Sequence, residues 1–303
     1  MYTAGIIAIA AAVIGIFLFS NQYPAPGDII YNGETYTYNR NLTNVLFLGV
    51  DYSVGYTDKA IGGHQADTLV LMSIDKKAKK ARFINIPRDV LTQVKAYDAN
   101  GNFACNTVSP ICLAHSFGRD ERSGSELTME AVSYFLYGVP VQNYLSMNID
   151  GITEANDLVG GVPVDVMEDF TVVDPSMVKG AHVTLTGVTA MNYVRQRSLP
   201  GMSGSNLDRM NRQIQYMQSF LNQVKEKTRN DKSFPVTLLK QLDGYISTDL
   251  TVFSLPPVLN ILLDQGVSGG DMQIISGRTT DEGFQADDGA LKDLVRDVFY
   301  IKQ

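Results

Sequence analysis

Acidic and basic residues stand at the ends of three strand-like segments near the start of the chain. The segments are Val45–Val50, Thr68–Ile74 and Arg82–Ile86. If they form an antiparallel meander, the charged turn after the second segment lies at one edge of the sheet. The opposite edge then gathers Asp51, Asp67, Arg88 and Asp89. Two carboxylates suit Mg²⁺ together with phosphate oxygens, and an arginine beside them suits a phosphate. The alternative is that each aspartate only caps a turn.

A second group of residues that could bind an anion lies farther along the chain. Four arginines fall within eighteen residues, at Arg195, Arg197, Arg209 and Arg212. In an extended segment Arg195 and Arg197 face the same way, and Gln213 shares a helix face with Arg209. We expect the group to bind an external anion. The alternative is a solvated basic surface, in which Arg212 forms an ordinary salt bridge with Asp208.

The elements that position these groups alternate between helices and strands. Predicted helices cover Gly124–Tyr137, Ile152–Leu158 and Leu207–Lys227. Further predicted strands cover Tyr144–Ile149, Val162–Val166 and Met272–Ser276. Apolar residues in the longest helix recur at spacings of three and four, which indicates one buried stripe. The mixed order predicts an α/β fold of three layers, α-β-α, with helices on both faces of a central mixed sheet.

The amino-terminal segment is apolar and uncharged. Ala4–Ser20 is just long enough to cross a bilayer as a helix, and a cleaved signal peptide is the alternative. We expect one transmembrane anchor at residues 1–20 and a linker rich in proline and glycine at residues 21–43. Residues 44–303 would then form one extracytoplasmic domain on a single-pass membrane protein.

The two cysteines indicate the redox character of the compartment in which the protein lies. Cys105 and Cys112 are close together in a loop-like stretch rich in Asn, Ser and Pro. An even count and close spacing predict a disulfide between Cys105 and Cys112 in an oxidising compartment. The alternative is two unrelated thiols.

Charge and motif content exclude several function classes. The net charge of −7 argues against nucleic acid as a partner, because phosphate backbones require a basic surface. The sequence has no G-x-S-x-G elbow, no G-x-x-x-x-G-K-[ST] phosphate loop and no H-E-x-x-H motif. These other chemistries therefore find little support in the sequence.

Ordered segments of the chain resemble the LytR-CpsA-Psr family. The segments are NVLFLGVD at 44–51, ADTLVLMSI at 66–74, IPRD at 86–89, NIDGITEANDLVGG at 148–161, VPVDVMEDF at 162–170, LTGVTAMNYVRQR at 185–197 and LDRMNRQ at 207–213. The resemblance covers roughly residues 42–230, and the number of ordered motifs makes it specific.

The resemblance implies a phosphotransferase of the Gram-positive cell envelope. Such enzymes take a glycopolymer, such as teichoic acid or capsule polysaccharide, from a polyprenyl-pyrophosphate carrier and attach it to peptidoglycan. The polyprenyl tail would lie in an apolar groove between sheet and helices. Two other functions stay open: a pyrophosphohydrolase acting on the same lipid, and a non-catalytic, membrane-anchored lipid-binding or regulatory module.

Site residues follow from the same resemblance. The family's acidic positions for Mg²⁺ (or Mn²⁺) correspond to Asp51 and Asp67. Its pyrophosphate-binding positions correspond to Arg88, Arg195, Arg197, Arg209 and Gln213. Arg88 is the expected catalytic residue, and Asp89 or Asp67 is the expected acceptor of the hydroxyl proton.

Three positions depart from the family pattern. Gln65 and Thr92 replace basic residues, and Ser109–Cys112 replaces a lysine-containing segment. These losses bear on substrate choice and catalytic strength, and they keep the lipid-binding module open as an alternative.

Overall fold

The computed structural model describes residues 26–52, 64–98, 100–200, 202–250, 261–263 and 271–303. The anchor predicted at residues 1–20 lies outside these ranges. Within the ranges, none of the helices has the length and apolar character needed to cross a bilayer.

Strands and helices of the described residues are numbered here in chain order. The strands are β1 Ile29–Tyr31, β2 Glu34–Tyr38, β3 Leu42–Val50, β4 Ala66–Asp75, β5 Lys80–Ile86, β6 Leu91–Tyr97, β7 Phe103–Pro110, β8 Asn143–Asn148, β9 Val162–Asp165, β10 His182–Leu185, β11 Ile246–Thr248, β12 Met272–Ile274, β13 Gly277–Thr279, β14 Phe284–Ala286 and β15 Tyr300–Lys302. The helices are α1 Leu113–Ser116, α2 Glu121–Phe135, α3 Ile149–Leu158, α4 Gly187–Arg195, α5 Asn206–Asn230, α6 Phe234–Gln241 and α7 Asp288–Phe299.

A mixed six-stranded sheet forms the centre of the fold, in the order β11-β8-β3-β4-β5-β12. Strands β3, β4 and β5 form the predicted antiparallel meander, whereas β8 runs parallel to β3 and β12 parallel to β5. The charged turn is stabilised by Asp75, whose Oδ1 accepts from the N–H groups of Lys77 and Ala78. The prediction of a central mixed sheet is confirmed.

The two faces of the sheet pack against different helices. Leu46, Leu48 and other residues of one face contact Val132 and Phe135 of α2, and α7 packs on the same side. Residues of the opposite face, such as Val70 and Phe83, form a cluster with Met217 and Leu221 of α5. Strands buried on both faces need continuous apolar sequence, and β3 and β4 contain the apolar runs VLFLGV and LVLM. The predicted three-layer arrangement is confirmed.

The predicted linker over residues 21–43 is wrong for its second half. Strands β1 and β2 pair with each other, and β15 near the end of the chain pairs with β2. The sequence ETYTY of β2 alternates threonine and tyrosine, which favour strands, and Tyr38 is buried in the main core. The folded part of the chain therefore starts before residue 44.

The predicted disulfide is also wrong, because both cysteines are free thiols. Cys105 is exposed on β7, and Cys112 is buried beyond the end of that strand. A strand rises about 3.3 Å per residue, so five residues of β7 extend the chain by about 17 Å. A disulfide needs Cα atoms within about 7 Å of each other. The hairpin of β6 and β7 therefore separates the two sulfurs.

Candidate functional site

The meander brings the predicted carboxylates and Arg88 to one edge of the sheet. Asp51 follows β3, Asp67 lies at the start of β4, and Arg88 follows β5. Arg88 Nη1 donates to Asp67 Oδ1, and Arg88 Nε donates to Asp89 Oδ1 at 3.3 Å. The strand ends thus place these groups as the meander predicts.

Two neutral side chains also hold the Arg88 guanidinium. Its Nη2 donates to Gln65 Oε1 and contacts Cys112 Sγ at 3.4 Å. Burial raises the pKa of the Cys112 thiol, so this sulfur is a neutral partner at physiological pH. Positions that depart from the family pattern therefore contact the central arginine directly. The sequence marks them as departures but does not show that they meet.

Burial disfavours the charged form of the Asp67 carboxylate. Burial raises the pKa of Asp67, although Arg88 and Arg209 both act to lower it. The charge of Asp51 raises that pKa further, so the two carboxylates are electrostatically linked. A divalent cation between them would relieve both effects.

Asp51 and Asp67 fit a magnesium ion, although each has an arginine partner. Mg²⁺ typically takes one or two carboxylates and completes its shell with water and phosphate oxygens. Among the described residues, no group of three or more His, Cys, Asp or Glu side chains is arranged to hold a metal. Asp51 and Asp67 could supply the carboxylates of such a site.

Arg195 reaches the site from the end of a helix, and not from the extended segment predicted for it. Its Nη2 donates to Asp51 Oδ1 at 3.1 Å. Helix α4 starts after Thr186, whose N–H donates to Thr189 Oγ1 at 3.0 Å in a capping box. Ala190, Tyr193 and Val194 are buried at the spacing of a helix. This spacing overrides the alternating pattern of residues 193–197, which predicted an extended segment. The helix ends at Arg195, and the next residue, Gln196, has extended backbone.

Arg209 is a buried arginine with an unused donor. Only 5% of its surface is exposed, and its Nη2 donates to Asn206 Oδ1 at 2.7 Å. Its Nε has no hydrogen-bond partner among the described residues. Burial lowers the pKa of Arg209, although the charge of Asp67 acts to raise it. A buried charged donor without an acceptor is unfavourable, so the arrangement calls for an anion from outside.

Gln213 connects three elements around the same site. Its Nε2 donates to Thr68 Oγ1 at 3.1 Å on β4 and to the Val194 carbonyl at 3.1 Å on α4. Both donors of this amide are therefore engaged by the protein. The structure gives Gln213 a positioning contact, and its binding to pyrophosphate stays a prediction.

Arg212 does not belong to the basic group, and its salt bridge with Asp208 is not formed. The side chain is 1% exposed, lies over the ring of Phe170 and pairs with Glu168. Its Nε donates to the Tyr193 carbonyl at 2.9 Å, and its Nη2 donates to the Gln196 carbonyl. Arg212 thus anchors the backbone between Arg195 and Arg197 from inside the core.

The arginines surround a polar cavity that joins an apolar one. The polar cavity, of about 410 Å³, is lined by Asp67, Arg88, Arg195, Gln196, Arg197, Ser198 and Arg209. The apolar cavity, of about 290 Å³, lies between the sheet and α5 and reaches Leu238 and Leu242. Asp67, Arg195 and Arg209 line both cavities. A ligand with an apolar chain and an anionic end matches this pair of spaces.

Known proteins share both the sequence pattern and the fold. The pattern of the LytR_cpsA_psr family matches residues 27–279. The polyisoprenyl-teichoic acid–peptidoglycan teichoic acid transferase TagU of Oceanobacillus iheyensis is 25% identical over 274 residues, which are 85% of this chain and 79% of that protein. TagU of Bacillus subtilis is 26% identical over 260 residues, 84% of this chain and 76% of that protein.

A solved structure supports the fold. The crystal structure of B. subtilis TagU superposes with a TM-score of 0.58 at 22% identity, covering 85% of this chain and 95% of that one. Both named relatives are transferases. This finding confirms the prediction that the chain comes from a family of transferases. With a match over residues 27–279 and the predicted motifs in order, the chain belongs to the LytR-CpsA-Psr family.

Proposed function

We propose that this protein transfers a phosphorylated glycopolymer from a polyprenyl-pyrophosphate carrier to peptidoglycan. The observation that carries the proposal is the union of the two cavities, which share Asp67, Arg195 and Arg209. The apolar cavity suits the polyprenyl chain, and the polar cavity suits the pyrophosphate. The relatives are named for a polyisoprenyl-linked donor and a peptidoglycan acceptor, and we extend both partners to this chain.

In the proposed reaction, a hydroxyl oxygen of peptidoglycan attacks the phosphorus that bears the glycopolymer. The bond from this phosphorus to the bridging oxygen of the pyrophosphate breaks, which gives a phosphodiester and polyprenyl phosphate. The hydroxyl proton passes to Asp89 or Asp67, which both contact Arg88. Arg88 and its neighbouring arginines stabilise the charge that collects on the leaving phosphate. Mg²⁺ (or Mn²⁺) held by Asp51 and Asp67 would neutralise further charge.

A lipid substrate also places the protein at a membrane. We propose that residues 1–20 anchor it by a single pass and that the described domain works outside the cytoplasm. Anchoring would hold the cavity near the surface from which the carrier lipid enters.

A reaction with defined components tests the proposal. The full chain in detergent is incubated with a polyprenyl-pyrophosphate-linked saccharide, peptidoglycan fragments and Mg²⁺, and mass spectrometry identifies the products. A saccharide-phosphate adduct on the fragment supports the transferase. Free saccharide phosphate without an adduct would instead identify a pyrophosphohydrolase on the same lipid.

A lipid-binding or regulatory module is the second candidate, and one observation favours it. Arg88 is held by Gln65 and Cys112 as well as by two aspartates, so four of the five N–H donors of its guanidinium already have partners within the protein. If these contacts persist when the lipid is bound, the protein binds the carrier without turning it over. Intact lipid recovered with the protein in the presence of Mg²⁺ and acceptor would support this candidate.

Replacing Arg209 with methionine is expected to weaken binding of polyprenyl pyrophosphate by about 10- to 100-fold, because hydrogen bonds to charged groups contribute about 1.5–3 kcal/mol. The fold should persist, since the variant removes a buried donor that lacks a partner among the described residues. Titration calorimetry measures the affinity. Arg229→Met, at an exposed site on the same helix, is the matched control and should bind like the unchanged protein.

As the pH is lowered, the Mg²⁺-dependent rate of transfer is expected to start falling at a higher pH than it would with an aspartate of ordinary pKa. Burial raises the pKa of Asp67 above its usual value of 3.8, so the neutral form persists to higher pH. Once protonated, Asp67 no longer serves as a ligand for the cation, and the rate decreases as the pH falls. A pH–rate profile at fixed Mg²⁺ measures the effect. Asp67→Asn should give a low rate without this acidic limb, and an unchanged limb would exclude Asp67 as its source.

A further inference from the structure

Asn85 is a buried amide that faces the apolar cavity. It lies on β5 and is 2% exposed. Alternate residues Ala81 and Phe83 of the same strand belong to the cluster on the cavity side of the sheet, and Asn85 follows the same alternation. It is also one of the residues that line the apolar cavity.

The Asn85 side chain has an unused donor. Its Nδ2 has no hydrogen-bond partner among the residues that the structure describes. Two other buried asparagines have satisfied amide nitrogens: Asn44 Nδ2 donates to the Pro140 carbonyl at 2.7 Å, and Asn156 Nδ2 donates to the Leu185 carbonyl at 2.9 Å. A buried donor without an acceptor is unfavourable, so Asn85 differs from these structural amides.

Asn85 lies close to the end of the apolar cavity that arginines line. It pairs with Val70 across β4 and β5, and Thr68 is the next residue of β4 on the same face. Such diagonal neighbours lie about 7–8 Å apart. Thr68 accepts from Gln213, and both line the apolar cavity next to Asp67 and Arg209. Asn85 therefore sits just inside the point where the two cavities meet.

We propose that Asn85 Nδ2 donates a hydrogen bond to an oxygen of the phosphate attached to the polyprenyl chain. This inference rests on the proposed function and assigns a further residue to substrate binding. A polyprenyl chain offers no acceptor, so within the proposed ligand only the lipid-proximal phosphate can satisfy the amide at this end. The donor would select phosphorylated carriers over the free polyprenol of the same length.

Binding measurements on two lipids test the proposal. The full chain in detergent is titrated with polyprenyl monophosphate and with polyprenol of equal length. Asn85→Leu, which keeps the approximate volume, is expected to weaken monophosphate binding about tenfold and to weaken polyprenol binding much less, because the polyprenol hydroxyl is an uncharged acceptor. Asn85→Asp, which replaces the donor with an acceptor at equal size, should weaken monophosphate binding at least as much.

A control and a second readout keep the test decisive. Ser73 is another buried side chain without a partner among the described residues, but it does not line either cavity, so Ser73→Ala should bind both lipids normally. The melting temperature of ligand-free Asn85→Leu is expected to rise, because the variant removes an unsatisfied amide.

Equal weakening of both lipids by Asn85→Leu would overturn the proposal, since it would indicate packing alone. Unchanged monophosphate binding in both Asn85 variants would also overturn it. If the unchanged protein binds neither lipid, the proposed function fails and this inference fails with it. Binding of both lipids by the unchanged protein separates a failure at Asn85 from a failure of the proposed function.

Discussion

Replacing Arg88 with alanine is expected to lower the rate of glycopolymer transfer by about 10³-fold, the lower end of the effect of an arginine that stabilises a phosphoryl-transfer transition state. Arg88 lines the polar cavity and contacts both Asp67 and Asp89, so its removal takes away positive charge and frees the two carboxylates. Initial rates measured with the saccharide-linked lipid and peptidoglycan fragments report the effect.

Two variants show whether the effect belongs to the Arg88 guanidinium. Arg88→Lys keeps a positive charge but loses the planar fork, so it should recover only part of the rate. Arg82→Ala changes an exposed arginine on β5, whose Nη1 contacts the Asp297 carbonyl, and should leave the rate unchanged. A rate for Arg88→Ala equal to that of the unchanged protein would exclude Arg88 from the reaction.

Replacing Arg212 with methionine is expected to lower the free energy of unfolding by about 3–5 kcal/mol, the typical cost of breaking a buried ion pair from one side. Arg212 is almost completely buried, and burial lowers its pKa to about 10. Its loss leaves Glu168, whose side chain is only 13% exposed, without its charged partner and removes the contact to the Gln196 carbonyl. Denaturant unfolding followed by circular dichroism measures the change.

Matched variants separate the buried pair from general effects on the helix. Arg229→Met lies on the same helix in an exposed pair with Glu226 and should change the free energy of unfolding by less than about 0.5 kcal/mol. The double variant Arg212→Met with Glu168→Leu should recover much of the loss, because an apolar pair needs no charge compensation. A loss below about 1 kcal/mol for Arg212→Met alone would contradict a structural role for the ion pair.

The strand ends of the meander could be predicted from the sequence because that prediction depends on local patterns. Three apolar runs separated by polar turns determine which residues meet at the edge of a sheet, and Asp51, Asp67 and Arg88 follow from that alone. Asn85 escapes such analysis, since its importance lies in the partner that it lacks in the folded protein.

The roles of the clustered arginines depend on distant contacts instead. Arg209 and Arg212 are three residues apart on one helix, yet Arg209 faces the cavity and Arg212 pairs with Glu168, which lies 44 residues away. No local spacing reveals that partner. The separation of Cys105 and Cys112 likewise could not be predicted without knowing that β7 is extended. The pairing of β2 could not be predicted without its partner β15, which lies near the end of the chain.

A crystal structure of the protein with polyprenyl pyrophosphate and Mg²⁺ tests the central claim most directly. The account predicts the chain in the apolar cavity between the sheet and α5, with the pyrophosphate contacting Arg88, Arg195, Arg197 and Arg209. Density for the cation would lie at Asp51 and Asp67. A lipid bound elsewhere, or a pyrophosphate directed away from Arg88 and Arg209, would contradict the account.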